Sequence, residues 1–332
     1  MPSNSMKKWL TLLLWSTAIG RLAMIAGSLR SRWLHWDFTW YYLPALALRS
    51  GIDPYTTDLR PFAQRLGFDT DMVVAHDTPT LLLMFEPLSR FNVETAYWIW
   101  IAIKLLAFAF ALVLLLRKLS FAAAMTFVAA AIIYEPVSVE LYLSQTQLLI
   151  LCLLALTLWS LETGRERSAG LLLALSALLR AYPLVMAGYL VMRRRWLALQ
   201  YLIFGLAVGG FATLLLVPPS LHWVRAVLVF GDAGFRSSYT NVSLSATVWR
   251  LLTLDGARVW RGVEIPIVLV ELGLLAMSLR AVRSAERERG FGLWVVTAVL
   301  LSPVAWIHYM VLLLVPFSQI ASVAMQGTLN HV

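Results

Sequence analysis

Residues 94–116 read ETAYWIWIAIKLLAFAFALVLLL, and past Glu94 the stretch carries one charge, Lys104. At about 1.5 Å per helical residue it is long enough to cross a hydrocarbon core of about 30 Å. Further apolar segments cover about 9–29, 120–135, 145–161, 169–192, 197–217, 265–282, 291–301 and 304–324. The 332-residue chain is 60% hydrophobic and 14% charged, with a mean hydropathy of +0.75. A soluble domain carries about 25% charged residues. A chain of this length cannot bury so much apolar surface without lipid. The expected fold is an all-α polytopic membrane protein, a single transmembrane domain over 1–332 with roughly 9–10 membrane helices.

Basic residues punctuate these segments: Arg117–Lys118, Arg165 to Arg167, Arg193 to Arg195, and Arg280 to Arg289. The net charge of +9 belongs to cytoplasmic loops and lipid headgroups, and no separate basic domain points to nucleic acid. Lys7 and Lys8 precede the first apolar stretch as in a signal peptide. That stretch is long and no small-residue cleavage site follows, so an uncleaved helix with a cytoplasmic N-terminus is expected. Cys152, the sole cysteine, excludes a disulfide framework within one chain.

Counting crossings with basic clusters inside works until 169–192, whose two ends are both basic. Its middle reads LLRAYPLV, and Pro183 removes a backbone donor and disfavours helix just before it. The pattern predicts two short helices in a hairpin that enters the membrane and returns; the other reading is one kinked helix with basic residues outside. With the hairpin, two long loops, 30–93 and 218–264, face the external side together with the Ser302–Pro303 break. Residues 39–50 are expected as an amphipathic helix at the membrane surface. No internal repeat of fixed period is visible.

Three charged or titratable residues stand out. Asp37, within LHWDFTWYY, reads either as a solvated loop acid or as a partly desolvated general base walled by aromatics. His308, in SPVAWIHYM, reads as an interfacial aromatic-belt histidine or as a proton relay or phosphate contact. Arg180, just before Pro183, reads as an internal ion pair, a snorkelling cation or a forked phosphate ligand. Arg21, Lys104 and Glu271 also lie inside apolar segments, where some should pair with one another. No GxxxxGK[ST], HExxH, GxSxG or GxGxxG pattern is present, and no cluster has metal spacing. An activated donor would therefore be lipid-borne.

Five stretches taken in order, DFTWYYLPALALRSGIDPY, TPTLLLMFEPLSRF, SQTQLLILCLLAL, AGLLLALSALLRAYPLVMAGYLVMRRRW and SPVAWIHY, resemble the family 87 glycosyltransferases of the glycosyltransferase C superfamily. They span residues 37 to 309. The resemblance implies a glycosyltransferase C-like fold with catalytic loops on the external face of the inner membrane. It implies transfer of a sugar, in the family usually mannose, from a polyprenyl phosphate carrier to a lipid or glycan hydroxyl, with inversion, in cell envelope biosynthesis. Asp37 matches the family's base and His308 its assisting histidine. Arg180 stands where the family usually has lysine; Ser144–Gln145 and Thr78–Pro79 replace its usual GQ and PP. Arg180, Tyr41, Gln145 and Asn241 are the expected substrate contacts. No metal or other cofactor is expected, since a lipid monophosphate lacks the diphosphate that usually recruits one. The expected partners are the lipid-linked donor, the acceptor and membrane lipids. The competing readings are a transporter or flippase for lipid-linked sugars and a non-catalytic membrane partner.

Overall fold

The computed structural model describes residues 4–31, 37–67, 74–230, 238–253, 264–284 and 289–329. Residues 33–36 of the aromatic stretch, 285–288 of the last basic cluster, and 231–237 and 254–263 of the second long loop lie outside them. Every named element among the described residues is helical. They are α1 (Asn4–Ser31), α2 (Phe38–Arg49), α3 (Arg60–Arg65), α4 (Pro79–Phe85), α5 (Val93–Leu116), α6 (Phe121–Ile133), α7 (Glu135–Leu143), α8 (Gln147–Glu162), α9 (Glu166–Leu179), α10 (Met186–Met192), α11 (Trp196–Leu216), α12 (Ser220–Phe230), α13 (Leu244–Leu252), α14 (Glu264–Ser284), α15 (Arg289–Leu300) and α16 (Leu314–Leu329). The helix starts follow local chemistry: Asn92 caps α5 through Thr95 N at 2.9 Å and Ser243 caps α13 through Ala246 N at 3.2 Å.

Five helices are long and apolar enough to cross a membrane, and the bent pair α6–α7 makes a sixth if counted as one span. Shorter apolar helices, 147–162, 182–192 and 290–300, fill the remaining expected segments. The α6–α7 bend is 54°. Pro136, in the first turn of α7, has no N–H to continue the ladder across it. Arg21 and Lys104 both pair, but with acids of α7 rather than with each other. Arg21 on α1 donates to Ser138 Oγ at 2.8 Å and pairs with Glu135 on α7. Lys104 pairs with Glu140.

The segment 169–192 breaks where proline requires. Arg180 is extended (φ −145, ψ 127), and Tyr182–Val185 form a 3-10 turn before α10. Pro183 cannot donate to the Leu179 carbonyl; the Thr78 hydroxyl does so instead, at 3.1 Å. The chain then returns: Arg195 Nη1 meets Glu166 Oε1 at 2.8 Å, so both basic ends of the hairpin lie together. Small residues let α9 lie close against α11. A Cβ on Gly170 would come within 2.2 Å of the Ala198 carbonyl oxygen, while Gly205 and Gly209, a GxxxG pair on α11, admit Ala174 and Leu178.

One expectation is corrected. The helix over 39–50 forms, as 38–49, but without the open face expected of an amphipathic surface helix. Phe38, Tyr41, Tyr42, Leu43, Ala45 and Ala47 are all buried. Phe38 stacks on Tyr42 and meets the edge of Tyr97, because α4 and α5 cover the faces that an interfacial helix would leave open.

Candidate active site

Asp37 precedes α2 in a position where an aspartate normally caps the helix. Its carboxylate makes no such cap; only its carbonyl bonds the helix, accepting from Trp40 N at 3.0 Å. The side chain is turned instead toward Gln145, whose Nε2 donates to Asp37 Oδ2. Gln145 Oε1 in turn accepts from the Tyr41 hydroxyl. Burial, the largest influence, raises the Asp37 pKa above the ordinary carboxylate value. The Gln145 hydrogen bond opposes the rise and the Asp77 charge adds to it.

Arg180 stands behind this pair, on the extended residue that the proline break creates. Its Nη2 donates to the Tyr41 hydroxyl at 2.7 Å and to Gln145 Oε1 at 3.2 Å. Nη1 meets Asp77 Oδ1 at 2.7 Å, and Nε donates to Thr146 Oγ1 at 3.0 Å. A guanidinium has five N–H donors, and these four bonds leave one on Nη1. The cation also lies 5.6 Å from the centroid of the Tyr41 ring. A helix-internal arginine could not spread its donors over residues from three separate parts of the chain; the break allows it.

The turn carrying Gln145 and Thr146 is fixed from within the protein. Ser144 is left-handed (φ 56), and its carbonyl accepts from Trp100 Nε1 at 2.8 Å. Such a φ ordinarily favours glycine. The Glu140 carbonyl accepts from Lys104 Nζ at 2.6 Å and from Gln145 N at 3.2 Å. Both Lys104 and Glu140 side chains are fully buried.

Asp37, Tyr41, Gln145 and Arg180 thus form one connected network. His308 is 1% exposed and makes no hydrogen bond through either ring nitrogen among the described residues. Its aromatic contacts lead to Gln147, two residues past Gln145, and not to the network itself. Its ring lies 5.1 Å from that of Tyr309, which lies 5.1 Å from Tyr182; the Tyr182 hydroxyl donates to Gln147 Oε1. Asn241 stands apart. Its Oδ1 accepts from Ser243 N (3.1 Å) and Ala305 N (3.0 Å), and its Nδ2 donates to the Pro303 carbonyl at 3.3 Å. The amide clasps the 303–306 stretch ahead of His308, so its polar atoms face backbone.

Asp77 is the site residue that sequence reasoning passed over. It appeared only as part of a turn, HDTPT, yet it is 4% exposed and answers the Arg180 charge. An acid beside the proline-started helix that donates Thr78 to the break was the available signal. Thr146, Gln147 and Tyr182 were likewise missed, as uncharged members of an apolar run.

Comparison with known proteins identifies the family. Glycosyltransferase family 87 matches over residues 76–303. Over 198 residues the chain is 29% identical to the polyprenol-phosphate-mannose-dependent alpha-(1-2)-phosphatidylinositol pentamannoside mannosyltransferase of Mycobacterium tuberculosis (strain CDC 1551 / Oshkosh). That stretch is 57% of this chain and 43% of the relative, so the chain spans less than half the length of that curated protein. No solved structure matches. The family match takes in Asp77, Gln145, Arg180 and the Ser302–Pro303 break, while Asp37, Tyr41 and His308 lie outside it; it covers most of the chain, and on that extent this protein belongs to glycosyltransferase family 87.

Proposed function

We propose that this protein transfers a sugar, mannose in the leading case, from a polyprenyl phosphate carrier to a hydroxyl of a lipid or glycan acceptor. Asp37 takes the hydroxyl proton. The oxygen attacks the anomeric carbon from the face opposite the phosphate, the bond from that carbon to the phosphate oxygen breaks, and its electron pair leaves on polyprenyl phosphate. The new glycoside is inverted. Arg180 stabilises the departing phosphate charge from its remaining Nη1 donor and its field, and Gln145 and Tyr41 hold the base and the cation in register. His308 would assist beside the donor or acceptor. The step calls on no metal.

The observation that carries this reading is the partly buried Asp37 carboxylate turned away from its own helix and tied through Gln145 and Tyr41 to Arg180. Family membership favours transfer over transport of a lipid-linked sugar. The relative's name supports the donor class, and the positive-inside pattern supports a site on the external face with the N-terminus in the cytoplasm. The test is purified protein incubated with radiolabelled polyprenyl phosphate mannose and a membrane lipid extract. Asp37→Asn should lower product formation by about 10²–10⁴-fold, with membrane insertion and melting temperature preserved. Wild-type turnover by that variant would remove Asp37 as the base.

A further inference from the structure

The far end of the broken hairpin carries a polar recess that no residue of the Asp37–Arg180 network lines. Glu166, Tyr189, Met192, Arg193, Arg194 and Arg195 line an open cleft of about 370 Å³. The intervening helix α9 has 14 residues, so the cleft lies about 20 Å from Arg180 at about 1.5 Å per residue. With three arginines and one glutamate, its described lining carries a formal charge of +2. Glu166 is already engaged by Arg195.

The three arginines are consecutive, yet the backbone splays them. Arg194 is left-handed (φ 52), a conformation that costs a residue with a Cβ about 1–2 kcal/mol. Its neighbours turn to other parts of the protein, Arg195 to Glu166 of the hairpin and Arg193 to Gly290 of α15, where an added Cβ would come within 3.0 Å of its Nη2. Arg194 itself stays exposed. A forked guanidinium held out to solvent in this way is suited to an anion.

Position points to the kind of anion. The apolar helix α11 begins directly after Arg195, with Ile203, Phe204 and Phe211 largely exposed on it. Trp196, at 52% exposure, stands at the cleft's edge. Arg165 over the Trp159 ring (4.7 Å) and Arg167 over Tyr201 (5.7 Å) continue the same cationic and aromatic belt. Basic and aromatic residues clustered at the end of an apolar helix favour the depth at which phosphate headgroups meet water. A cleft of this volume falls in the range of small-ligand pockets.

We propose that this recess binds the phosphodiester headgroup of an anionic membrane lipid, whose acyl chains run along the exposed face of α11. The guanidinium fork suits the phosphate oxygens. The detergent-purified full chain is titrated with dihexanoyl phosphatidylglycerol, dihexanoyl phosphatidylcholine or inorganic phosphate, and its melting temperature is followed by tryptophan fluorescence. Phosphatidylglycerol should raise the melting temperature saturably, and the other two should not. Arg194→Gly suits the left-handed backbone, so it should melt at or above the wild-type temperature without ligand. It should also raise the half-saturating phosphatidylglycerol concentration at least about tenfold, the effect of losing one charged hydrogen bond. Arg60→Ala, an equal charge loss in the first long loop, should respond as wild type. An equal response to phosphatidylcholine, an equal response to inorganic phosphate, or wild-type half-saturation in Arg194→Gly would each overturn the proposal.

Discussion

Replacing Lys104 by methionine keeps the length of the side chain and deletes its charge in a place where no water can compensate. Lys104 Nζ lies 2.6 Å from the Glu140 carbonyl and 3.4 Å from its carboxylate, with both side chains at 0% exposure. Glu140 Oε1 also accepts from Leu148 N at 3.2 Å. Removing one partner of a buried pair leaves the other as an uncompensated charge, which costs about 3–5 kcal/mol, whereas neutralising both is often close to neutral. Lys104→Met should therefore cost about 3–5 kcal/mol. Lys104→Met with Glu140→Gln keeps an acceptor for Leu148 and should return to within about 1–2 kcal/mol of wild type. Reversible unfolding in mixed dodecylmaltoside and sodium dodecyl sulfate micelles, followed by far-ultraviolet circular dichroism, measures all members of the cycle. Because Glu140 also receives the Gln145 amide, the single variant should lose transfer activity at temperatures where it remains folded, and the double variant should regain much of it. A loss below about 1 kcal/mol for Lys104→Met, or a double variant as unstable as the sum of its singles, would refute this account of the pair.

Three further outcomes follow from the geometry. Burial raises the Asp37 pKa, so turnover should rise with pH through a window above the ordinary carboxylate value as the base deprotonates. A raised folded-state pKa also means that Asp37's contribution to stability is greatest at low pH and is lost as pH rises through that window; Asp37→Asn should abolish this slope in a melting-temperature profile, and an unchanged slope would count against the assignment. Arg180→Lys keeps the charge but cannot span Tyr41, Gln145, Asp77 and Thr146 together; it should weaken use of the polyprenyl phosphate donor about tenfold while leaving the acceptor KM within about twofold, as the loss of one or two charged bonds would. Gly170→Ala forces a Cβ to within 2.2 Å of the Ala198 carbonyl oxygen and should cost about 1–3 kcal/mol by overpacking, whereas Gly20→Ala, in open space, should be neutral or stabilising by up to about 1 kcal/mol in the same unfolding assay.

The apolar helices were legible because their cause is local: a run such as 94–116 declares its own solvent. The broken hairpin was legible for a different reason. Pro183 and the two flanking arginine clusters are each ambiguous, but only a returning chain lets both clusters lie on one side, and the Arg195–Glu166 pair bears this out. What stayed hidden depended on distant partners. Asp77 looks like any turn acid until Arg180, 103 residues later, comes to lie beside it. Asn241 reads as a loop amide open to a ligand until Ala305, 64 residues on, claims its oxygen. The helix 38–49 looks interfacial because nothing in its own sequence announces that α4 and α5 will cover it. Sequence thus exposes an unpaired charge in an apolar setting readily, but not the residue that answers it.

That asymmetry suggests where to look for the answering group. Pro183 strips the Leu179 carbonyl of its donor, so some donor from elsewhere must reach that spot, and Thr78 does so. The residue beside it in the chain, Asp77, is then delivered to the guanidinium that the same break leaves extended. One broken helix therefore creates two demands, a donor for a carbonyl and an anion for a cation, and the Asp77–Thr78 dipeptide meets both. Substituting Thr78 by valine should accordingly disturb Arg180 as well as the helix it caps, because the backbone that aligns Asp77 is anchored through that hydroxyl.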